Sequence, residues 1–265
     1  MNSYIGNYYA TNSIIHKLDP RVKLFFVMIY VILTFLVTSL KGYCLLFVGL
    51  FIVIKLTNIP LKVILKMLNS IVAILIFTNI VHLFFTDGDI IFKFKFMVIT
   101  KQGLYNAVYI TLRLILMILT SSLLTLTTTS TQFSDAIEKN FKFLNRFGIK
   151  VEDISMMISI SIRFIPIILE EVDIIIKAQK ARGVDFEHGT LINKIKNIIP
   201  ILIPVFISSI KRSIELAKAM EVRLYTGENR TKLHPLKYNK IDKITYIVIC
   251  LFAGMVVILE QVKIL

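Results

Sequence analysis

Two short stretches of the sequence carry an arginine at the same position, one residue before their end, and could form specific contacts with another protein. Residues 177–183 read Lys-Ala-Gln-Lys-Ala-Arg-Gly, and residues 218–224 read Lys-Ala-Met-Glu-Val-Arg-Leu. In each stretch an alanine precedes the arginine by four residues, so the two share one face of a helix. The small alanine lets a partner approach the backbone, and the arginine offers a planar, permanently charged fork to a carboxylate.

For a single arginine near a helix end, ordinary capping is the alternative, because a cation there complements the helix dipole. The duplication favours a docking role, toward two equivalent partners or the two halves of a dimer. An Ile-Pro step precedes each ending, at Pro166 and at Pro204, and both prolines are expected to shape their helices. The predicted contact residues are Ala178, Ala181, Arg182, Gly183, Ala219, Val222, Arg223 and Leu224.

Other side chains that could do chemistry form no catalytic or metal-binding pattern. The four histidines are scattered over the sequence: His16, His82, His188 and His234. Cys44 and Cys250 lie far apart inside apolar runs and are expected to be small core residues. The sequence lacks a phosphate loop of the type G-x-x-x-x-G-K-[ST]. We therefore expect no metal site, no bound cofactor and no enzymatic activity.

The composition is that of a membrane protein. Of the 265 residues, 56% are hydrophobic and 18% are charged, and the mean hydropathy is +0.75. A soluble domain carries about 45–50% apolar and about 25% charged residues. The net charge of +14 fits cytoplasmic loops, where Lys and Arg accumulate. Nucleic-acid binding is not expected, because no aromatic RNA-binding signature interleaves with the basic residues.

Apolar blocks that approach the roughly 20 residues needed to cross a bilayer predict an all-α polytopic membrane protein with about five transmembrane helices. The predicted spans cover residues 22–40, 42–56, 63–85, 104–127 and 244–259. The pattern divides the chain into an N-terminal membrane domain, a cytoplasmic region of long amphipathic helices and a C-terminal transmembrane helix. These cover residues 1–131, 132–240 and 241–265.

The basic residues predict the orientation in the cell membrane. They flank the first and third predicted spans and crowd the middle region, so all three are placed on the cytoplasmic side. The N-terminus is then inside and the C-terminus outside. The first residues lack the basic and apolar order of a cleavable signal peptide.

The middle region predicts two long amphipathic helices. From residue 152 to residue 180, polar residues recur every three or four positions, which draws one stripe along a helix of roughly 40 Å. This helix is too charged to span and is expected at the cytoplasmic surface of the membrane. A second helix over residues 193–224 is expected to be broken by Pro200 and Pro204, and its apolar part, residues 198–210, is too short to span.

Three charged residues of the membrane domain are expected to act structurally. Arg113 lies inside an apolar span, where a charge marks either a function or a partner within the bundle, and the second interpretation is favoured. Asp19 and Arg21 are expected to form a local ion pair that fixes the entry to the first span.

Several segments, taken in order, resemble the transmembrane (T) component of energy-coupling factor transporters, the vitamin and cobalt importers of bacteria and archaea. Residues 16–23, His-Lys-Leu-Asp-Pro-Arg-Val-Lys, resemble the family's segment ahead of its first span. Arg113 followed by the threonines at 127–128 resembles its Arg…Thr-Thr stretch. Residues 163–166, Arg-Phe-Ile-Pro, followed by the glutamates at 170–171, resemble the opening of its first coupling helix.

The two arginine endings add to this resemblance. Residues 181–183 match the family's Ala-Arg-Gly motif, and residues 219–224 resemble its second copy. The second copy departs from the motif, since Val222 and Leu224 stand on either side of Arg223. The kept arginine preserves the charge, and the departure bears on how closely that tip packs.

The resemblance implies a function and partners. Such a component links two ABC-type ATPases to a small, substrate-specific membrane (S) subunit, and its two Arg-tipped helices pass the motion of the ATPases to that subunit. ATP is then bound by the partners. Two alternatives stay open: a permease subunit of a conventional ABC transporter, and an intramembrane enzyme, which would need a catalytic pair that the predicted spans lack. The transported vitamin or metal, and whether the component serves one S subunit or many, are not predicted.

Overall fold

The computed structural model of the chain describes residues 8–69, 71–94, 97–148, 150–184, 191–225, 236 and 238–262. These residues fall into two compact units. The membrane unit comprises the described residues of Gly6–Lys139 and Leu236–Leu265, and the two-helix unit comprises those of Asn140–Pro235. The C-terminal helix therefore packs with the N-terminal part of the chain.

Helices form most of both units. In chain order they are α1 (Ile14–Lys17), α2 (Pro20–Leu36), α3 (Leu40–Thr57), α4 (Leu61–Asn69), α5 (Val72–Phe85), α6 (Lys101–Thr127), α7 (Ser130–Asn140), α8 (Val151–Ala181), α9 (Leu191–Val222) and α10 (Lys240–Gln261). A 3₁₀ helix covers Lys142–Phe147. A short antiparallel hairpin of β1 (Ile90–Phe94) and β2 (Met97–Thr100) connects α5 to α6.

Polar residues fix where the membrane helices begin. Asp19 caps α2 and is followed by Pro20 at the first helical position, where its missing N–H costs nothing. Ser39 caps α3. At the start of α10, Asn239 and Asp242 cap each other's backbone N–H groups in a capping box.

The core of the membrane unit lies between α2, α3, α4, α6 and α10. Its largest fully buried side chains include Tyr30, Tyr43, Leu46, Leu50, Ile64 and Leu116. The hydroxyl of Tyr30 donates to the backbone carbonyl of Leu46 at 2.6 Å, which satisfies its polar end inside the core. Close packing and hydrogen bonds of this kind hold helices together in a bilayer, where apolar burial contributes little.

The fold class predicted from the sequence is confirmed. Among the described residues, α3, α6, α10 and the Lys196–Val222 part of α9 are long and apolar enough to cross a membrane. The pair α4 and α5 passes the same test as one bent span. The second predicted block, residues 42–56, is therefore long enough as α3, which has 18 residues. Helix α2, with 17 residues, is slightly shorter.

The predicted span over residues 63–85 corresponds to the pair α4 and α5 and is bent instead of straight. Helices α4 and α5 are bent by 53° relative to each other. Lys62 and Lys66 give α4 a polar face, whereas the sequence of α5 is almost entirely apolar. The two lysines make α4 the more polar part of this bent span, and the chain changes direction between the two helices.

The prediction that prolines break the second long helix was wrong. Pro200 and Pro204 lie inside a continuous α9, and Pro166 lies inside a continuous α8. Proline removes one backbone donor but its fixed φ is compatible with a helix. The prolines of α9 are four residues apart, so the missing hydrogen bonds fall on one face. The part Lys196–Val222 of this continuous helix is long and apolar enough to cross a membrane, so the prediction that the apolar part of α9 is too short to span was wrong.

Candidate functional site

The first arginine ending closes α8 with a Schellman motif. Arg182 is the C-cap, and Gly183 takes the left-handed conformation with φ of 87°. The N–H of Gly183 donates to the carbonyl of Lys180 at 3.0 Å, and that of Val184 donates to the carbonyl of Gln179 at 3.1 Å. These bonds satisfy carbonyls that a helix end otherwise leaves free. The side chain of Arg182 is exposed.

The second ending closes α9 with the same backbone hydrogen bonds. Leu224 takes the left-handed conformation with φ of 54°. Its N–H donates to the carbonyl of Glu221 at 2.9 Å, and that of Tyr225 donates to the carbonyl of Met220 at 3.0 Å. Arg223 thus occupies the position equivalent to Arg182. A non-glycine residue pays about 1–2 kcal/mol for this conformation, so the geometry is kept although the sequence departs from Ala-Arg-Gly.

The side chains beside the two arginines differ in size. Val222 and Leu224 are each 84% exposed, whereas Ala181 and Gly183 surround the first arginine. Within the described part of the chain, neither arginine forms an ion pair. The structure therefore places the predicted residues at two exposed helix ends. Small residues flank the arginine at the first end, and large apolar residues flank it at the second.

Ala178 and Ala219 are also exposed, as the docking hypothesis requires. Each lies one helical turn before its arginine. Because alanine carries only a methyl group, a partner can approach the backbone more closely here than at a larger side chain.

An ion pair that was not predicted joins the two long helices. Nη2 of Arg212 on α9 donates to Oε2 of Glu171 on α8 at 3.1 Å. A hydrogen bond from Ser208 and the charge of Arg212 hold the pKa of the Glu171 carboxyl below its usual value, against the opposing effect of desolvation. No sequence pattern indicated this pair, because its two members are 41 residues apart on different helices.

A buried polar joint connects the starts of α2 and α10. The structure contains the expected pair: Asp19 accepts hydrogen bonds from Nε of Arg21 at 3.0 Å and from Nη2 at 2.7 Å. The Arg21 guanidinium also lies 3.7 Å from the ring centre of Tyr238. The backbone N–H of Asp19 donates to Oδ1 of Asp242 at 2.9 Å. Asp242 was missed, although Asn239 with Asp242 is a recognisable capping-box pattern.

Lys23 ties this joint to the end of α6. Its Nζ donates to the carbonyl of Thr127 at 2.8 Å and to the carbonyl of His16 at 3.3 Å. A cation at a helix C-terminus is favourable because it meets the free carbonyls there. The segment 16–23 and the threonine pair 127–128, which are far apart in the sequence, therefore meet in the membrane unit.

Arg113 has partners inside the membrane unit. Its Nε donates to the hydroxyl of Tyr43 at 3.2 Å, and its guanidinium lies 5.3 Å from the ring centre of Phe35. The Tyr43 ring packs against Tyr109 at 5.7 Å between centroids. These contacts favour the structural interpretation of Arg113.

The described residues contain no group of three or more His, Cys, Asp or Glu that could hold a metal ion. His188 and His234 lie outside the described residues. Cys44 and Cys250 are free and exposed, which corrects the expectation that they are core residues. On α3 and α10 they face outward, where an apolar side chain meets lipid instead of protein.

These observations define a class: a helical membrane protein with several spans and two exposed arginine-ended helices. The family model described as "Cobalt transport protein" (CbiQ) matches residues 11–233. The energy-coupling factor transporter transmembrane protein EcfT of Ruminiclostridium cellulolyticum is 42% identical over 259 residues, with 97% of each chain covered. EcfT of Clostridium kluyveri is 43% identical over 241 residues, with 90% of this chain and 89% of the relative covered. EcfT of Bacillus subtilis is 40% identical over 260 residues, with 97% of each covered.

The chain therefore belongs to the CbiQ family, as the transmembrane component of an energy-coupling factor transporter. This agrees with the resemblance found in the sequence. The relatives are named as parts of a transporter, which fits a chain that is not itself an enzyme.

Proposed function

We propose that this chain links two cytoplasmic ABC-type ATPases to a small, substrate-binding membrane subunit. The observation that carries the proposal is the pair of helix ends. Arg182 and Arg223 stand at equivalent positions of two Schellman motifs, both exposed and without an ion-pair partner among the described residues. Two ends with the same geometry fit two related pockets on two related proteins. The ATPases bind and hydrolyse ATP, and α8 and α9 carry their motion to the membrane.

Exposed apolar side chains of α9 supply a surface for the substrate-binding subunit. Leu202 and Phe206 are 58% and 67% exposed, and Ile203 and Ile210 are 55% and 44% exposed. An apolar surface of this extent is normally covered by a partner or by lipid. We assign it to the substrate-binding subunit, with both helices on the cytoplasmic side of the bilayer, where the basic residues of this region are favoured.

Alanine substitution of the two arginines tests the ATPase contact. If each arginine forms a desolvated pair with a carboxylate, losing it costs about 3–5 kcal/mol. R182A or R223A should weaken ATPase retention during purification of the tagged complex, and the double variant should abolish uptake. K177A and K218A are matched controls, because these lysines are exposed and equivalent in both endings but lie on another helix face. Wild-type ATPase retention and uptake in the double variant would refute the proposal.

Purification from the native host in mild detergent tests the wider assembly. We expect two ATPases and at least one small membrane protein to co-purify, and the identity of the small protein reveals the substrate. One small partner indicates a dedicated component, and several indicate a shared one. Recovery of this chain without any ATPase, even after cross-linking, would contradict the coupling function.

A further inference from the structure

The ion pair between α8 and α9 lies at the same distance from both arginine endings. Arg182 follows Glu171 by eleven residues, and Arg223 follows Arg212 by eleven residues. At about 1.5 Å per residue, each helix extends roughly 16 Å from the pair to its arginine. We call the part of each helix between the ion pair and the arginine its arm. The arm of α8 and the arm of α9 therefore have equal lengths.

Two residues of α9 hold the Glu171 carboxylate. Ser208 and Arg212 are four residues apart on one face of α9, and both contact it. The neighbouring Glu170 is exposed and lies on another part of the α8 surface. The contact thus fixes which turn of α8 meets which turn of α9.

The ion pair restrains the position of the two helices more than their angle. A single bond joins Nη2 of Arg212 to Oε2 of Glu171, whereas a bidentate pair would also fix the orientation of the guanidinium. Nε of Arg212 is buried and has no acceptor in the described part of the chain. A small rotation of α9 relative to α8 could bring this donor to the carboxylate, so the contact can persist while the helix angle changes.

We infer that Glu171 and Arg212 are positioning residues that set the distance between the two arginine endings and act as the pivot between α8 and α9. Without the pair, each arm keeps its own helix end but loses its fixed register against the other arm. The two arginine endings then no longer lie at a fixed distance from each other, so they do not match two ATPases that move together. The effect on transport rests on the proposed function, whereas the effect on the distance between the endings does not.

The distance between the endings can be measured in the full chain. Cys44 and Cys250 are replaced by alanine, and spin labels are placed at K177C and K218C, which are exposed and equivalent positions on the two arms. Double electron–electron resonance in lipid nanodiscs then gives the distribution of distances. In the otherwise unchanged chain we expect one narrow distance peak.

Three variants test the pair, and two further variants serve as controls. E171Q and R212Q should replace the narrow peak by a broad distribution, and the charge swap E171R/R212E should restore a narrow one. E170Q and K211Q change the neighbouring exposed residues and should leave the peak unchanged. Narrow peaks in E171Q and R212Q, or a charge swap as broad as the single variants, would overturn the inference. Circular dichroism on each variant verifies that α8 and α9 remain helical.

Uptake by the whole transporter separates this inference from the proposed function. E171Q should reduce uptake while the ATPases remain bound, and the charge swap should recover part of it. If the distance distributions change as expected but R182A/R223A transports normally, the pivot is retained and the proposed function is rejected. If E171Q loses the ATPases altogether, the pair holds the complex together and the positioning role is rejected.

Discussion

Replacing Asp242 by alanine tests the buried joint between α2 and α10. Asp242 is 1% exposed. Its Oδ1 accepts the backbone N–H of Asp19 at 2.9 Å, and its Oδ2 accepts the backbone N–H of Asn239 at 2.7 Å. Alanine removes both acceptors at once. It also removes a negative charge that acts on the buried Lys23.

The cost follows from the two donors that lose their acceptor. The N–H of Asp19 is buried, and an unsatisfied buried donor costs about 1–3 kcal/mol. The N–H of Asn239 belongs to the cap of α10, and loss of a cap costs about 0.5–2 kcal/mol. Together the free energy of unfolding should fall by about 1.5–5 kcal/mol. At roughly 2–4 °C per kcal/mol, the Tm falls by about 3–20 °C.

Thermal unfolding of the purified chain in detergent measures this effect. D242N keeps one acceptor oxygen and should fall between the wild type and D242A. D87A, at an exposed aspartate of the same unit, is the control and should unfold like the wild type. A Tm of D242A equal to that of D87A would refute the claim that this joint stabilises the membrane unit.

Three further predictions concern the helix ends and pH. A Cβ on Gly183 meets no atom within 4 Å, so G183A should cost about 1–2 kcal/mol through its left-handed backbone alone, seen as faster hydrogen exchange of the Val184 amide. L224G should relieve the same strain at the second ending and slow the hydrogen exchange of the Tyr225 amide. Exchange rates equal to those of the unchanged chain in both variants would contradict this reasoning. Burial is the main cause that lowers the pKa of His16 below 6.5, and the charge of Lys23 adds to it, although hydrogen bonds to backbone carbonyls oppose the shift. The neutral ring therefore contributes stability that is complete above pH 6.5 and is lost as the pH falls through the lower folded-state pKa, and H16Q should flatten this part of the Tm-versus-pH curve.

Features that depend on neighbouring residues could be predicted from the sequence. Apolar blocks of sufficient length predicted the spans, because a bilayer demands a fixed length of apolar helix. The Lys-Ala-x-x-x-Arg endings predicted where α8 and α9 stop, because an arginine favours a helix C-terminus and the first ending also has a glycine after its arginine. The Asp19–Arg21 pair was also predictable, since its two members are two residues apart.

Predictions from local sequence failed at the prolines of α9 and at the two cysteines that lie on the outer surface of the membrane helices. Pro200 and Pro204 were expected to break α9, because proline removes a backbone donor and crowds the preceding turn, but the helix is continuous through both. Cys44 and Cys250 were assigned to a core on the basis of apolar surroundings. In a bilayer, an apolar residue can face outward at little cost, so apolarity alone does not distinguish the core from the lipid-facing surface.

The sequence by itself determined the helical class, the approximate spans and the two arginine endings, since each depends on length, periodicity or residues within one helical turn. Only the tertiary structure decided which polar groups meet. Asp242 accepts from Asp19 across 223 positions of sequence, and Arg212 meets Glu171 across 41. Such pairs depend on how whole helices pack, because a hydrogen bond requires its atoms to approach within about 3 Å and no periodicity of a single helix specifies its neighbour.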